Sequence, residues 1–207
     1  MKGEKTMRTR IISGVVIGAI VLALIFLPAD ILIVFLGIMS LLAQHELYKA
    51  YGMKNKNYGV YAGFAATVFY YLCLKFNWIG SESLTAAVCF LGIMAVYVFT
   101  FPRVKSAQIA VVFFGFFYIS VLLSFMYGVR ALPDGKWLLP LVFISAWVND
   151  TCAYFVGRKL GKHRLAPVLS PKKSIEGFVG GIAGAVVVGL IYGLIYGRTA
   201  ILWSNTG

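Results

Sequence analysis

The residues able to do chemistry are concentrated between Ser145 and Gly181, a run that reads SAWVNDTCAYFVGRKLGKHRLAPVLSPKKSIEGFVGG. One acid, Asp150, lies inside an apolar stretch, and Tyr154, Gly157, Arg158 and Gly161 follow it at i+4, i+7, i+8 and i+11. On a helix these positions share a face, so an acid, a phenol and a cation would stand beside two residues that allow close backbone approach. A basic loop, Gly157 to Glu176, comes next. Lys172 and Lys173 supply charge for a polyphosphate, and Ser170 supplies a hydroxyl. The free N–H groups at the start of the following helix, near Lys173–Gly177, would point at the same anion.

Each of these residues also has a plainer reading. Asp150 could pair with Arg158 or with another helix and only fix packing. The loop could be a basic connection touching lipid headgroups. Glu176 suits the positive end of a helix dipole without any further role. His163, alone among cations, reads as a solvated residue. In Gln44-His45-Glu46-Leu47-Tyr48-Lys49, His45 and Glu46 are adjacent and diverge on a helix, so they make no metal pair. Glu46 is more simply an end-of-helix partner for Lys49.

The elements that must position these groups are membrane helices. The chain has 207 residues, 60% of them hydrophobic and only 13% charged, with a mean hydropathy of +0.86. Apolar runs of about 20 residues recur, which a soluble domain does not show. The fold class is all-α, a polytopic membrane bundle. Seven spans are expected: Ile11–Leu27, Ile31–Ala50, Tyr58–Leu74, Leu84–Phe101, Ala107–Tyr127, Trp137–Val156 and Gly177–Tyr196. Residues 1–136 form the N-terminal helices, and 137–207 begin the region that carries the 157–176 loop. Cys73, Cys89 and Cys152 lie in apolar runs, with neither a disulfide framework nor zinc-ligand spacing.

Lysine and arginine placement orients the spans. With the N-terminus in the cytoplasm, cytoplasmic segments hold Lys2, Lys5, Arg8, Arg10, Lys49, Lys54, Lys56, Arg103, Lys105 and all the basic residues from Arg158 to Lys173. Only Lys75, Arg130, Lys136 and Arg198 of the 19 fall on the other side. This alternation is the positive-inside pattern. It also accounts for the net charge of +12 without nucleic acid, for which no recognition motif is present. Of the seven acids, Glu46, Asp150 and Glu176 lie at or near cytoplasmic span ends. An acid on a membrane helix costs about 2.5–3.5 kcal/mol on insertion scales, so each is a candidate for function.

The run Asp150-Thr151-Cys152-Ala153-Tyr154, with Gly157-Arg158, Gly161-Lys162, Pro167, Ser170-Pro171-Lys172-Lys173-Ser174, Glu176-Gly177 and Gly180-Gly181, resembles the phosphatidate cytidylyltransferases, or CDP-diacylglycerol synthases. Cys152 stands where that family commonly has Gly or Ala, Ser174 where Thr is commoner, and Ile175 where Trp often precedes Glu-Gly. The resemblance implies an Mg²⁺- or Mn²⁺-dependent nucleotidyltransferase. CTP and phosphatidate would give CDP-diacylglycerol and pyrophosphate at the cytoplasmic face of the inner membrane. By motif position, Asp150 would bind the divalent metal. Lys172 and Lys173 would hold CTP phosphates with Ser170 assisting, Arg158 and Tyr154 would contact substrate, and Glu176 would organise the loop or the metal shell. The family's downstream signature of Lys-Asp, His-Gly-Gly and Asp-Arg-x-Asp type has no counterpart here. The resemblance therefore places these residues in an N-terminal portion, with further spans and metal-binding acids expected beyond it. A homodimer is compatible with it. Apart from the resemblance, a CTP-using enzyme with another lipid acceptor, a transporter, or a non-catalytic assembly protein remain open.

Overall fold

A computed structural model describes residues 28–53 and 57–204, and upstream of them positions 18, 21, 23, 25 and 26. The expected first span, Ile11–Leu27, lies outside the fully described residues. The described chain holds six helices long and apolar enough to cross a membrane: α1 (Ala29–Ala50), α2 (Tyr58–Phe76), α3 (Glu82–Thr100), α4 (Ser106–Ala131), α5 (Gly135–Leu160) and α6 (Ile175–Ser204). They form two compact units, Met1–Pro133 and Asp134–Gly207. The polytopic helical class holds, with one addition: a small β-hairpin between α5 and α6.

Helix ends in the first unit follow local chemistry. After α1 the chain reverses at Gly52, whose φ of +66° is left-handed. The Met53 N–H donates to Tyr48 O and the Gly52 N–H to Lys49 O, which closes the last turn of the helix. Asn57 caps α2 by accepting from the Gly59 N–H, and Ser81 caps α3 by accepting from the Leu84 N–H. Lys49 and Glu46 stand 4.0 Å apart, both well exposed, which is the end-of-helix pair read from the sequence.

Inside that unit lies a buried polar cluster that hydropathy does not reveal. The Gln44 amide donates to Thr67 Oγ1 at 2.7 Å and to Ser120 Oγ at 2.8 Å. Those two hydroxyls are themselves 2.9 Å apart. The Tyr71 hydroxyl donates to Ser120 O and sits 2.9 Å from Ser40 Oγ. Around Ser120 the backbone of α4 widens into a π-helical stretch, Phe116–Val121. Such stretches disturb the i→i−4 ladder, and here a side-chain hydroxyl takes up the carbonyl of Ser120. Tyr48 lies in a slot made by Gly63 and Gly115: a Cβ at either position would meet its phenol ring or hydroxyl. Between lipid-bathed helices, close packing and such hydrogen bonds replace the hydrophobic drive of water.

The second unit is an antiparallel pair of long helices. Gly157 meets Gly177, Asn149 meets Gly181, Cys152 meets Gly184, Leu141 meets Gly189, and the Tyr192 hydroxyl donates to Trp137 O. α5 runs on to Leu160, four residues past its expected end. Arg158 and Lys159 lie in that last turn, where cations suit the helix dipole.

Candidate functional site

The hairpin carries most of the candidate residues. Strand β1 (Arg164–Ala166) pairs antiparallel with β2 (Ser170–Ser174) across the turn Pro167-Val168-Leu169. Arg164 faces Ser174 and Ala166 faces Ser170, so Pro171, Lys172 and Lys173 together oppose Leu165 alone. That is a bulge, and a bulge re-aims side chains and tolerates the missing N–H of Pro171. Ser170 is half-buried and both lysines are exposed, with no side-chain hydrogen bond or ion pair among the described residues. Two adjacent cations and a hydroxyl on irregular backbone are free to meet an anion from solvent.

Glu176, in the first turn of α6, ties the open end of the hairpin. Its carboxylate accepts from the Lys162 N–H at 3.1 Å and the His163 N–H at 3.3 Å, and lies 2.6 Å from His163 Nδ1. Both oxygens are engaged with the His163 N–H, so the geometry favours loop organisation over metal ligation for Glu176. His163 is three-quarters exposed, as a solvated residue should be, yet it is also this carboxylate's partner, a role its isolation in sequence concealed.

Ser174 was not singled out by sequence reasoning, and it is the junction of the site. It is buried and its Oγ accepts from the Gly177 N–H at 3.2 Å, capping α6. A Cβ at Gly157 or Gly177 would come within 3.0 Å of that oxygen, and one at Gly161 within 2.6 Å. Gly157 and Gly161 are therefore spaces for Ser174 and α6. The S-x-x-G spacing before an apolar run was the available signal.

Along α5, Arg158 Nη1 donates to the Tyr154 hydroxyl at 3.3 Å. This answers one open reading: Arg158 turns to Tyr154 and not to Asp150. Asp150 is exposed and makes no ion pair or side-chain hydrogen bond among the described residues. It lies ten residues before the end of α5, about 15 Å along the axis. The structure thus joins Tyr154 with Arg158 and Glu176 with the hairpin, and leaves Asp150, one turn before Tyr154 on the same helix, bonded to neither.

No group of three or more His, Cys, Asp or Glu able to hold a metal occurs among the described residues. An unpaired carboxylate such as Asp150 still suits Mg²⁺, which typically takes one or two protein carboxylates and fills its remaining positions with water and substrate phosphate oxygens.

Six long apolar helices, two of them joined by a basic hairpin tied at its open end by a carboxylate, define a class: a polytopic integral membrane protein. More narrowly, the chain belongs to the cytidylyltransferase family, whose model matches residues 8–206. It is similar to the phosphatidate cytidylyltransferase of Staphylococcus haemolyticus, with 27% identity over 84% of this chain and 66% of the relative. It is similar also to that of Staphylococcus epidermidis, with 30% identity over 77% of this chain and 64% of the relative. The Staphylococcus saprophyticus protein of the same name is 27% identical over 78% of this chain and 64% of its own length. The chain thus spans just under two thirds of the length of the curated relatives it matches. No solved structure matches it.

Proposed function

We propose that the protein transfers the cytidylyl group of CTP to phosphatidate, giving CDP-diacylglycerol and pyrophosphate, at the cytoplasmic face of the inner membrane. The observation that carries this reading is the bulged basic strand Ser170–Ser174, held between two membrane spans in a chain of the cytidylyltransferase family. One substrate dissolves in lipid and the other in water, and a hairpin connecting two spans stands where they meet. The named relatives support the substrate pair.

A phosphate oxygen of phosphatidate attacks the α-phosphorus of CTP. The bond from that phosphorus to the bridging oxygen breaks, and pyrophosphate leaves with the electron pair. Catalysis of such a step is mostly positioning and charge neutralisation. Lys172 and Lys173 meet the β- and γ-phosphates, and Ser170 donates a hydrogen bond to the same chain. Arg158, steadied by Tyr154, takes the lipid phosphate. Glu176 keeps the hairpin closed on α6. Asp150 is the residue suited to hold a divalent cation, Mg²⁺ or Mn²⁺, which when bound would offset the charge that develops on the phosphoryl oxygens.

The test is formation of radiolabelled CDP-diacylglycerol from CTP and phosphatidate by the whole protein across a range of Mg²⁺ concentrations. Asp150→Asn is expected to lower kcat by about 100-fold or more, the scale of losing several kcal/mol of metal-based stabilisation. Lys172→Ala is expected to raise the KM for CTP about ten-fold, the loss of one charge-assisted hydrogen bond. Near-normal kinetics in both variants would remove these roles. Transfer to a polyprenyl phosphate but not to phosphatidate would redirect the reading to another lipid acceptor.

A further inference from the structure

The turn of the hairpin does not look like a turn made for water. Turns that face solvent are built from Gly, Asn, Asp, Ser and Pro. Here the residues are Pro167, Val168 and Leu169, with Val168 100% and Leu169 91% exposed. Among the described residues, no other large apolar side chain beyond the helices is bared so completely. Arg164 stands at the base of one strand and Lys172 and Lys173 on the other, all exposed. The hairpin leaves the end of α5 at Leu160 and re-enters α6 at Ile175. Both helices are long and apolar enough to span a membrane, which holds the hairpin at the bilayer face. Its short strands reach only about 10 Å, the depth of a headgroup layer.

We propose that this turn is a membrane-surface anchor: Val168 and Leu169 dip into the headgroup–acyl boundary of an anionic leaflet, and Arg164 lies against its lipid phosphates, joined by Lys172 and Lys173 until CTP claims them. Apolar residues rimmed by cations are the composition of an interfacial element, bound by buried apolar area and by attraction to anionic lipid together. The anchor rests on the membrane setting used above and deepens the proposed function. It sets the phosphate-binding strand at the depth of phosphatidate's own headgroup, and lets cations not engaged by CTP hold the strand to the leaflet.

The test uses the whole chain carrying Leu169→Trp, reconstituted in phosphatidylglycerol vesicles, with the unaltered protein subtracted for its 4 native tryptophans. The introduced indole is expected to emit to the blue of water-exposed tryptophan. Lipids brominated near the top of the acyl chain should quench it several-fold more than aqueous iodide does. In phosphatidylcholine vesicles that preference should shrink, because the cations lose their counter-charge. Water-like emission with iodide quenching in phosphatidylglycerol would overturn the anchor. So would a blue shift that brominated lipid leaves untouched, which would mean that protein and not lipid covers the turn. A companion variant, Val168→Ser with Leu169→Ser, should raise the KM for phosphatidate and leave that for CTP unchanged. If the protein makes no CDP-diacylglycerol at all, the fluorescence still decides the anchor while the proposed reaction fails separately.

Discussion

Glu176, expected to organise the loop or the metal shell, ties the open end of the hairpin. Its two oxygens serve the amides of Lys162 and His163 and the ring of His163. Glu176→Ala should therefore speed hydrogen exchange at the Lys162 and His163 amides by about ten-fold or more, the value of one hydrogen bond to a charged group. Exchange of the α5 interior should not change, and mass-resolved exchange of peptides spanning 158–176 would check both. Tyr154→Phe should have a smaller effect, a rise in the KM for phosphatidate of a few fold, because it frees Arg158 without removing its charge. Much at this scale was legible in sequence. Asp150 stood out because an acid in an apolar run is costly, and Lys172 and Lys173 because they are paired cations next to a hydroxyl. His163 was not legible: its partner is 13 residues away, and no local pattern marks a contact made through a hairpin.

At the scale of elements, the described helices were readable to within four residues, save that α6 runs on to Ser204, eight past its expected end, because runs of about 20 apolar residues have few alternatives in a membrane. The hairpin was not. Its strands are only 3 and 5 residues long, and Pro171 argues against a strand, so the segment read as loop. The π-helical stretch of α4 leaves no mark in hydropathy either. The seam between α5 and α6 was half-visible: Gly157 and Gly161 stand out in sequence as residues that allow close backbone approach, without the helix they admit. At Gly181 a Cβ would lie 2.7 Å from Asn149 Oδ1 and 2.9 Å from Asn149 O, and at Gly180 it would press on Val156. Gly181→Val should cost about 1–3 kcal/mol through overpacking, read as a lowered midpoint in denaturant unfolding of the detergent-solubilised protein. Ser174→Ala should cost about 1 kcal/mol as a lost cap and loosen the same junction.

At the scale of the whole molecule, the two compact units differ in what holds them together. The first is built around hydroxyls and one amide, the second around glycine and the hairpin. Gln44→Leu should lower the stability of the first unit by about 1 kcal/mol, the upper range for hydrogen bonds between membrane helices. The loss is limited because Thr67 and Ser120 still bond each other. It should leave CTP binding by the second unit unchanged, which calorimetry would check. Chelation of divalent cations is expected to abolish product formation yet leave the unfolding midpoint in place, since no cluster among the described residues would need a metal to fold. The glycine seam has a consequence for heredity as well. A survey of every single substitution would find Gly161, Gly180 and Gly184 among the least replaceable positions, although none of them has a side chain to offer a nucleotide. Val168 and Leu169 would tolerate any greasy replacement. Intolerance in this protein thus maps missing atoms as faithfully as reactive ones, and lineages that diverge from it must do so around a fixed line of empty space.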